Sequence, residues 1–464
     1  MNYPVWGMSD TVSGWVMILA HSIFTLTTLS AFGIGAYTAF LVKYSGLNNA
    51  DGYREFIASL SRTALSVLTV AGPLALLGMW LVHILHSPDT LTTIVFEFIW
   101  VWILQALAYI LEIATLFVLV RSLEKGDVAI QSELSWSLAI LGLITLFVAN
   151  ATLSFQQTPG FWLETGNFED AWFNTSYLAS LFLRLLVSVS AAGVWAFVAL
   201  SVLPASQTKR ALGEFSASFV IYPFLLMPVA LFWYLNTIDP VVAGKLTDGF
   251  TGFASDNHSF LSRLVLGAVF GSVALFLFAF LGGILNTDGF KRSMAFWMVL
   301  LALSVSAVSE YSRMLIGNPY AIAGYSYNNS IRLSQADDLN TGFLEKARWT
   351  VHKSVTDENL LAAGKELYDL QFRSGIPSGF NELTTFCQGK TYQEILDFIK
   401  IIRWGSENNI YQSNLPSFIG TDREAEALAA WIAYSQNSFE ASQAQIDWLN
   451  RYLAAPGSVL TASN

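Results

Sequence analysis

The sequence predicts an all-α protein in two parts: a polytopic membrane bundle of about eight transmembrane helices, followed by a C-terminal helical domain outside the bilayer. Two observations carry this. Hydrophobic residues make up 54% of the 464 positions and charged residues only 12%, with a mean hydropathy of +0.49, which is the composition of a polytopic membrane protein rather than a soluble enzyme. Eight apolar runs between Ser13 and Met314 are each long enough to cross a hydrocarbon core of roughly 30 Å, and from about Tyr320 onward no such run remains. A bundle over residues 1–330 and a separate domain over 331–464 follow.

The first run, Ser13 to Leu41, holds His21 about two helical turns from its start. An ionisable ring inside a membrane helix is costly enough to mark a functional site by default. The second run, Ala58 to Leu85, returns across the membrane with His83 near its end and His86 just beyond, and Pro73 within it is a candidate kink. Counted from the polar turn at Asn48, His21 lies 27 residues back and His83 35 residues forward. Both therefore sit toward the same face of the membrane, offset by about 12 Å if the helices are straight. His21 and His83 are candidate haem-iron ligands; the alternative for each is a buried ring hydrogen-bonded to a carbonyl.

The remaining runs are Leu91 to Val120, Glu133 to Phe155, Ser176 to Leu203, Phe215 to Ile238, Leu261 to Leu285 and Met294 to Met314. Positive charge sorts the connections between them. Lys43, Arg54, Arg121, Lys125, Lys209, Arg210, Lys291 and Arg292 fall on odd-numbered connections, against Lys245 and Arg263 on the opposite ones. The positive-inside rule then places both termini outside the cytoplasm, and in a bacterial inner membrane the C-terminal domain is periplasmic.

Several polar residues interrupt the runs. Glu97, Gln105 and Glu112 fall on one face of the third helix at about 100° per residue, while Arg184 and Glu310 lie inside the fifth and eighth. Glu112, Arg184 and Glu310 are candidate partners for protons or haem propionates; the alternative is an internal arginine–glutamate pair that fixes helix packing. A net charge of −10 argues against nucleic acid as a partner. The single cysteine, Cys387, excludes an intrachain disulfide and the usual two-thioether attachment of a c-type haem. No cleavable signal peptide is expected, since residues 1–12 carry no Lys or Arg and the first apolar run is too long.

Four stretches carry a resemblance. The fourth run ends in Ser154-Phe-Gln-Gln-Thr-Pro-Gly160, the first sets His21 among bulky apolar residues, the third holds Glu112 in LEIATLFVL, and the eighth is followed by Gly317-Asn-Pro-Tyr320 and Gly324. Together they resemble subunit I of the cytochrome bd oxidases, and the likeness spans most of residues 1–330. It implies b-type haem held through the first helix, a carboxylate in the third, contact with quinone, and other subunits of a membrane respiratory complex as partners.

The sequence also departs from that family. The fifth run reads YLASLFLRLL and offers Arg184 where the family has a second haem histidine, and the connection from Ile238 to Leu261 is too short for the family's long quinol loop. No Arg-Gln-Pro-Trp occurs, and Met227 and Met298 are merely available as axial ligands.

The C-terminal part resembles a monohaem cytochrome c that has lost its haem chemistry. Gly364-Lys-Glu-Leu-Tyr368 opens it as such domains open, but Phe372-Arg-Ser-Gly-Ile376 stands where Cys-x-x-Cys-His would follow. Leu415 occupies the axial methionine position of Asn414-Leu-Pro-Ser-Phe-Ile-Gly-Thr421, and Glu424 to Ile432 matches the closing helix. A thioether needs a cysteine sulfur and an axial bond needs a His or Met lone pair, so no covalent haem is expected. The domain then reads as a docking module for a periplasmic electron carrier or cytochrome c, or as a cap on the periplasmic face. Phe372 and Leu415 are expected to fill part of the vacated volume, and His352 is expected at the surface.

Two functions follow from these readings. One is a respiratory electron-transfer subunit passing electrons through b-type haem between quinone and a periplasmic partner, with a quinol-dependent oxygen reductase as a special case. The other is a haem-free scaffold that anchors such a complex in the lipid bilayer.

Overall fold

A computed structural model describes residues 10–48, 51–86, 88–125, 128–251, 260–347, 350–372, 383–406 and 415–454. The chain is mostly helical, and eight helices are long and apolar enough to cross a membrane: Gly14–Lys43, Gly52–Leu81, Ile99–Leu123, Ala129–Gln157, Tyr177–Leu200, Gln207–Leu235, Phe260–Leu285 and Arg292–Gly317. These are spans 1 to 8, and each overlaps one of the eight apolar runs, although the first residues of the third run lie in a separate helix, Pro88–Glu97. The described parts of the chain form two compact units. One comprises Ile18–Met79 and Ile94–Ile316; the other comprises Gly317–Asn464 with Met1–Met17 and Trp80–Thr93.

In the first unit, spans 1, 4 and 5 are the most buried and spans 7 and 8 the least. Lipid is as apolar as leucine, so helices in a bilayer associate by close backbone approach rather than by hydrophobic expulsion. The second half of span 1 lies against span 4 on that principle. A Cβ added at Gly35 would strike the Ala139 backbone, and one at Gly142 would strike Phe32. Polar side chains tie the layers together: the Tyr37 and Ser216 hydroxyls are 2.8 Å apart, and the Trp195 indole donates to the Leu26 carbonyl at 2.8 Å. Large apolar rings such as Trp100, Phe270 and Phe296 face outward, as a lipid-contacting surface requires.

Three spans depart from regular α-helix, span 7 through a closing π turn at Leu281–Leu285. Span 1 tightens to a 3₁₀ turn at Thr28–Ser30, and span 2 widens to a π turn at Val67–Ala71 just before Pro73. Proline has no N–H to give to the preceding turn, and a wide turn accommodates that loss. The Tyr109 hydroxyl of span 3 donates to the Leu68 carbonyl within the wide turn.

The second unit begins with a short hairpin of Tyr320–Ile322 and Ser326–Tyr327. Helices Leu333–Leu339, Phe343–Lys346, Leu360–Gln371, Leu383–Phe386, Tyr392–Ile401, Asp422–Ser435 and Gln443–Ala454 follow. Leu360–Gln371 crosses Asp422–Ser435 where Gly364 meets Ala427, a contact too close for any side chain, and the Tyr368 and Trp431 rings lie 4.6 Å apart beside it. Thr391 and Thr421 each begin a helix with a capping box, closed by Glu394 and Glu424. Glu424 also accepts from the Leu344 amide at 2.7 Å, which joins two helix starts. Phe372, Leu415, Phe418 and Cys387 belong to one buried apolar cluster.

Candidate functional site

One group of polar residues gathers at one end of the bundle. Because successive spans alternate in direction, the start of spans 1 and 5 and the end of spans 4, 6 and 8 lie on the same side. His21, Arg184, Asn150, Gln157, Tyr234, Glu310 and Arg313 occupy those segments.

Glu310 and Arg313 stand one turn apart on span 8, and the guanidinium holds the carboxylate through contacts of 2.5, 3.0 and 3.1 Å. His21 Nε2 lies 4.0 Å from Glu310 Oε1, outside hydrogen-bond range but inside charge range. His21 is 7% exposed, so the ring is set within the bundle and not on its lipid surface.

Across from this group, Arg184 donates from Nε to the Asn150 side-chain oxygen at 2.9 Å. Asn150 is itself fully buried and doubly fixed: its amide donates to the Tyr177 carbonyl at 2.8 Å, and its oxygen accepts from Ser180 at 2.5 Å. Arg184 is electrostatically coupled to Arg313, Glu310 and Tyr234, and the Tyr234 hydroxyl donates to Gln157. The expected arginine–glutamate pair therefore forms within span 8, not between Arg184 and Glu310.

The motif Ser154 to Gly160 has a structural job here. Thr158 bonds Asn174 at 3.0 Å and Ser176 at 2.5 Å, and Asn174 donates to Ser154 at 2.8 Å. This ties the end of span 4 to the start of span 5 and so sets the spacing between Asn150 and Arg184.

A second polar group lies in the middle of the bundle. Thr145 of span 4 donates to Glu112 Oε1 of span 3 at 2.5 Å, and Glu112 is fully buried. Glu112 Oε2 and Gln105 Oε1, two turns apart on span 3, have no hydrogen-bond partner among the described residues. Glu97 does not share this helix as expected: it ends a separate helix, Pro88–Glu97, ahead of span 3, and is half-buried, so only Gln105 and Glu112 share the buried side of span 3. Met298 is buried in the apolar core, whereas Met227 is half-buried.

Sequence reasoning found His21, Arg184, Glu310 and Glu112 but missed Arg313, Asn150, Gln157 and Tyr234. The Glu-x-x-Arg spacing on a membrane helix was a usable signal for Arg313. Nothing local distinguishes Asn150 or Tyr234. The side chains of His83 and His86 lie outside the described residues, as do residues 373–376, where the haem attachment motif would fall.

In the C-terminal unit the expectation for His352 is corrected. Its side chain is 5% exposed, and Nδ1 lies 2.6 Å from Glu366 Oε2, whose carboxylate also accepts the His352 backbone amide at 3.0 Å. The ring is covered by Trp448 and Tyr452 at 5.9 and 5.6 Å. Glu366, 14 residues on, draws the segment inward and buries a ring that local sequence leaves at the surface. Burial also raises the Cys387 thiol to a pKa of about 11, so it is a neutral core residue at ordinary pH.

No group of three or more His, Cys, Asp or Glu placed to hold a metal ion occurs among the described residues. No protein-family model and no curated protein matches the chain.

Proposed function

We propose that the chain is a membrane subunit of a respiratory electron-transfer complex, similar to cytochrome bd subunit I, with b-type haem held through His21. The observation that carries this reading is the convergence of an imidazole, a carboxylate and two guanidinium groups at one end of an otherwise apolar bundle. A bilayer makes each of those groups expensive, so their grouping favours a retained role over packing. The donor set suits a haem: an imidazole nitrogen is an iron ligand, and guanidinium groups match propionates. When bound, haem supplies one-electron chemistry.

The protein's own contribution is then specific. His21 provides the imidazole, with His83 as the second candidate. Arg313 holds Glu310 in a fixed place 4.0 Å from the ring, where its charge acts on an imidazole or on a nearby cation. Arg184, steadied by Asn150, supplies a positive charge on the facing span. Glu112 is a buried carboxylate beside Thr145 that can hold a proton in mid-membrane. The apolar spans exclude water, which raises the weight of each of these charges. Quinone and a periplasmic electron carrier are the proposed partners on this reading, and both termini are periplasmic. Oxygen reduction is its narrower variant.

A reduced-minus-oxidised absorbance spectrum with pyridine haemochrome quantification tests it. One or two b-type haems per chain and no c-type component is the expected result. A well-folded, haem-free preparation turns the reading into its alternative, a scaffold anchoring a respiratory complex. The C-terminal unit favours that alternative in one respect: Phe372 and Leu415, at two positions where a cytochrome c keeps haem chemistry, are packed into an apolar core. The Gly364 helix crossing with its Tyr368–Trp431 contact supports reading this unit as cytochrome c-like.

A further inference from the structure

The charges of the polar cluster do not balance, and the imbalance has a location. Arg313 and Glu310 neutralise one another through three close contacts. Among the described residues Arg184 has no such partner: its one hydrogen bond there is from Nε to Asn150, a neutral carboxamide, and none of them engages its Nη1 or Nη2 groups. The single carboxylate within its field, Glu310, is already held by Arg313, whose own positive charge acts against Arg184.

An arginine cannot shed its proton at physiological pH, and one unpaired inside a bilayer is strongly unfavourable. Lipid-facing arginines relieve this by extending to the interface. Arg184 does not, because Asn150 holds it on the bundle side, and Asn150 is fixed in turn by Tyr177 and Ser180. Two hydrogen bonds thus orient a residue whose sole task is to orient the guanidinium. Arg184 is left with two Nη groups side by side, the fork that receives two oxygens of one acid group.

We propose that Arg184 and Asn150 form a binding site for a monoanionic two-oxygen group, a carboxylate or a phosphodiester, between spans 4 and 5. Counted over Arg184, Arg313 and Glu310, one unit of negative charge restores neutrality. The site stands whether or not His21 binds iron. Its occupant comes from one of two sources, the propionate of a bound tetrapyrrole or the phosphate of a phospholipid headgroup.

Native mass spectrometry of the full chain, released from mild detergent, distinguishes them. Wild type is expected to retain one such anion per chain. Arg184→Gln should lower its occupancy about tenfold or more, the loss expected for a charge-assisted hydrogen bond, and Arg184→Lys should keep part of it. A retained tetrapyrrole mass assigns the carboxylate source, and a retained phospholipid mass assigns the phosphodiester source. Asn150→Ala keeps the charge but frees the fork, and it should lower occupancy less than Arg184→Gln; it also serves if Arg184→Gln does not fold. The proposal fails if folded Arg184→Gln keeps wild-type occupancy, if Asn150→Ala binds as wild type when Arg184→Gln cannot be obtained, or if wild type retains no such anion. Failure here leaves the His21 absorbance spectrum unchanged, whereas failure of the redox reading removes that spectrum and leaves a phospholipid at Arg184.

Discussion

The bundle and the C-terminal unit pair their buried charges differently: His352 and Glu366 of the C-terminal unit lie 2.6 Å apart, whereas His21 of the bundle stands 4.0 Å from a carboxylate that Arg313 already holds. In the bundle, His21, Glu310, Arg313 and Arg184 lie together within apolar spans, although each is costly there. In the C-terminal unit, Phe372, Leu415 and Phe418 form part of a continuous apolar core. The difference teaches where to look for retained function. A charge inside an apolar span is costly, which makes the grouped charges of the bundle the place to test first.

The comparison breaks most sharply at His21. Replacement by alanine is expected to abolish a b-type absorbance while leaving the unfolding of the C-terminal unit unchanged, and retention of full haem content would end the ligand assignment. In the other unit, Phe418→Ala removes a fully buried ring from the core and should cost that unit about 3–5 kcal/mol in denaturant unfolding, with haem content unaltered. A loss of haem in that variant would mean the core still serves a cofactor.

Cys387 probes the same core chemically. With its pKa raised to about 11 by burial, the thiolate is scarce below that pH. Alkylation of the folded protein at pH 8 should therefore run about two orders of magnitude slower than at an exposed thiol and accelerate toward pH 11. In linkage terms the folded state holds this proton more tightly than the unfolded state, so the associated stability is present below the ordinary thiol range and falls as pH rises through it toward 11. Rapid labelling at pH 8 without denaturant would show the core to be open. The smallest expected effect is at Thr421, whose hydroxyl accepts from the Glu424 amide at the start of a helix. Thr421→Ala should cost about 1 kcal/mol, read as a shift of the denaturation midpoint.

How much was legible in advance depended on the range of the interaction. Pro73 marked a local irregularity, and the π turn lies next to it, because the cause is within one helical turn. Glu310 and Arg313 pair one turn apart, and that too was readable, though the pattern was passed over. Asn150 with Arg184 and Gln157 with Tyr234 are separated by dozens of residues, and neither asparagine nor tyrosine is unusual where it stands. His352 misled for the same reason: its flanking residues are polar, and only Glu366 and the helix Gln443–Ala454 bring it under cover.

The sequence alone determined that eight helices are long and apolar enough to cross a membrane, because hydropathy over twenty residues is a sum over neighbours in the chain and needs no fold to evaluate. It determined as well that the C-terminal unit cannot attach haem through the usual pair of thioethers, because that needs two cysteine sulfurs and the chain has only Cys387. Only the tertiary structure decided which charges meet. It matched Glu310 to Arg313 and His21, gave Arg184 to Asn150, and enclosed His352 with Glu366. Electrostatic energies at these sites depend on separations of a few ångströms between distant parts of the chain, and those distances exist only once the helices have packed.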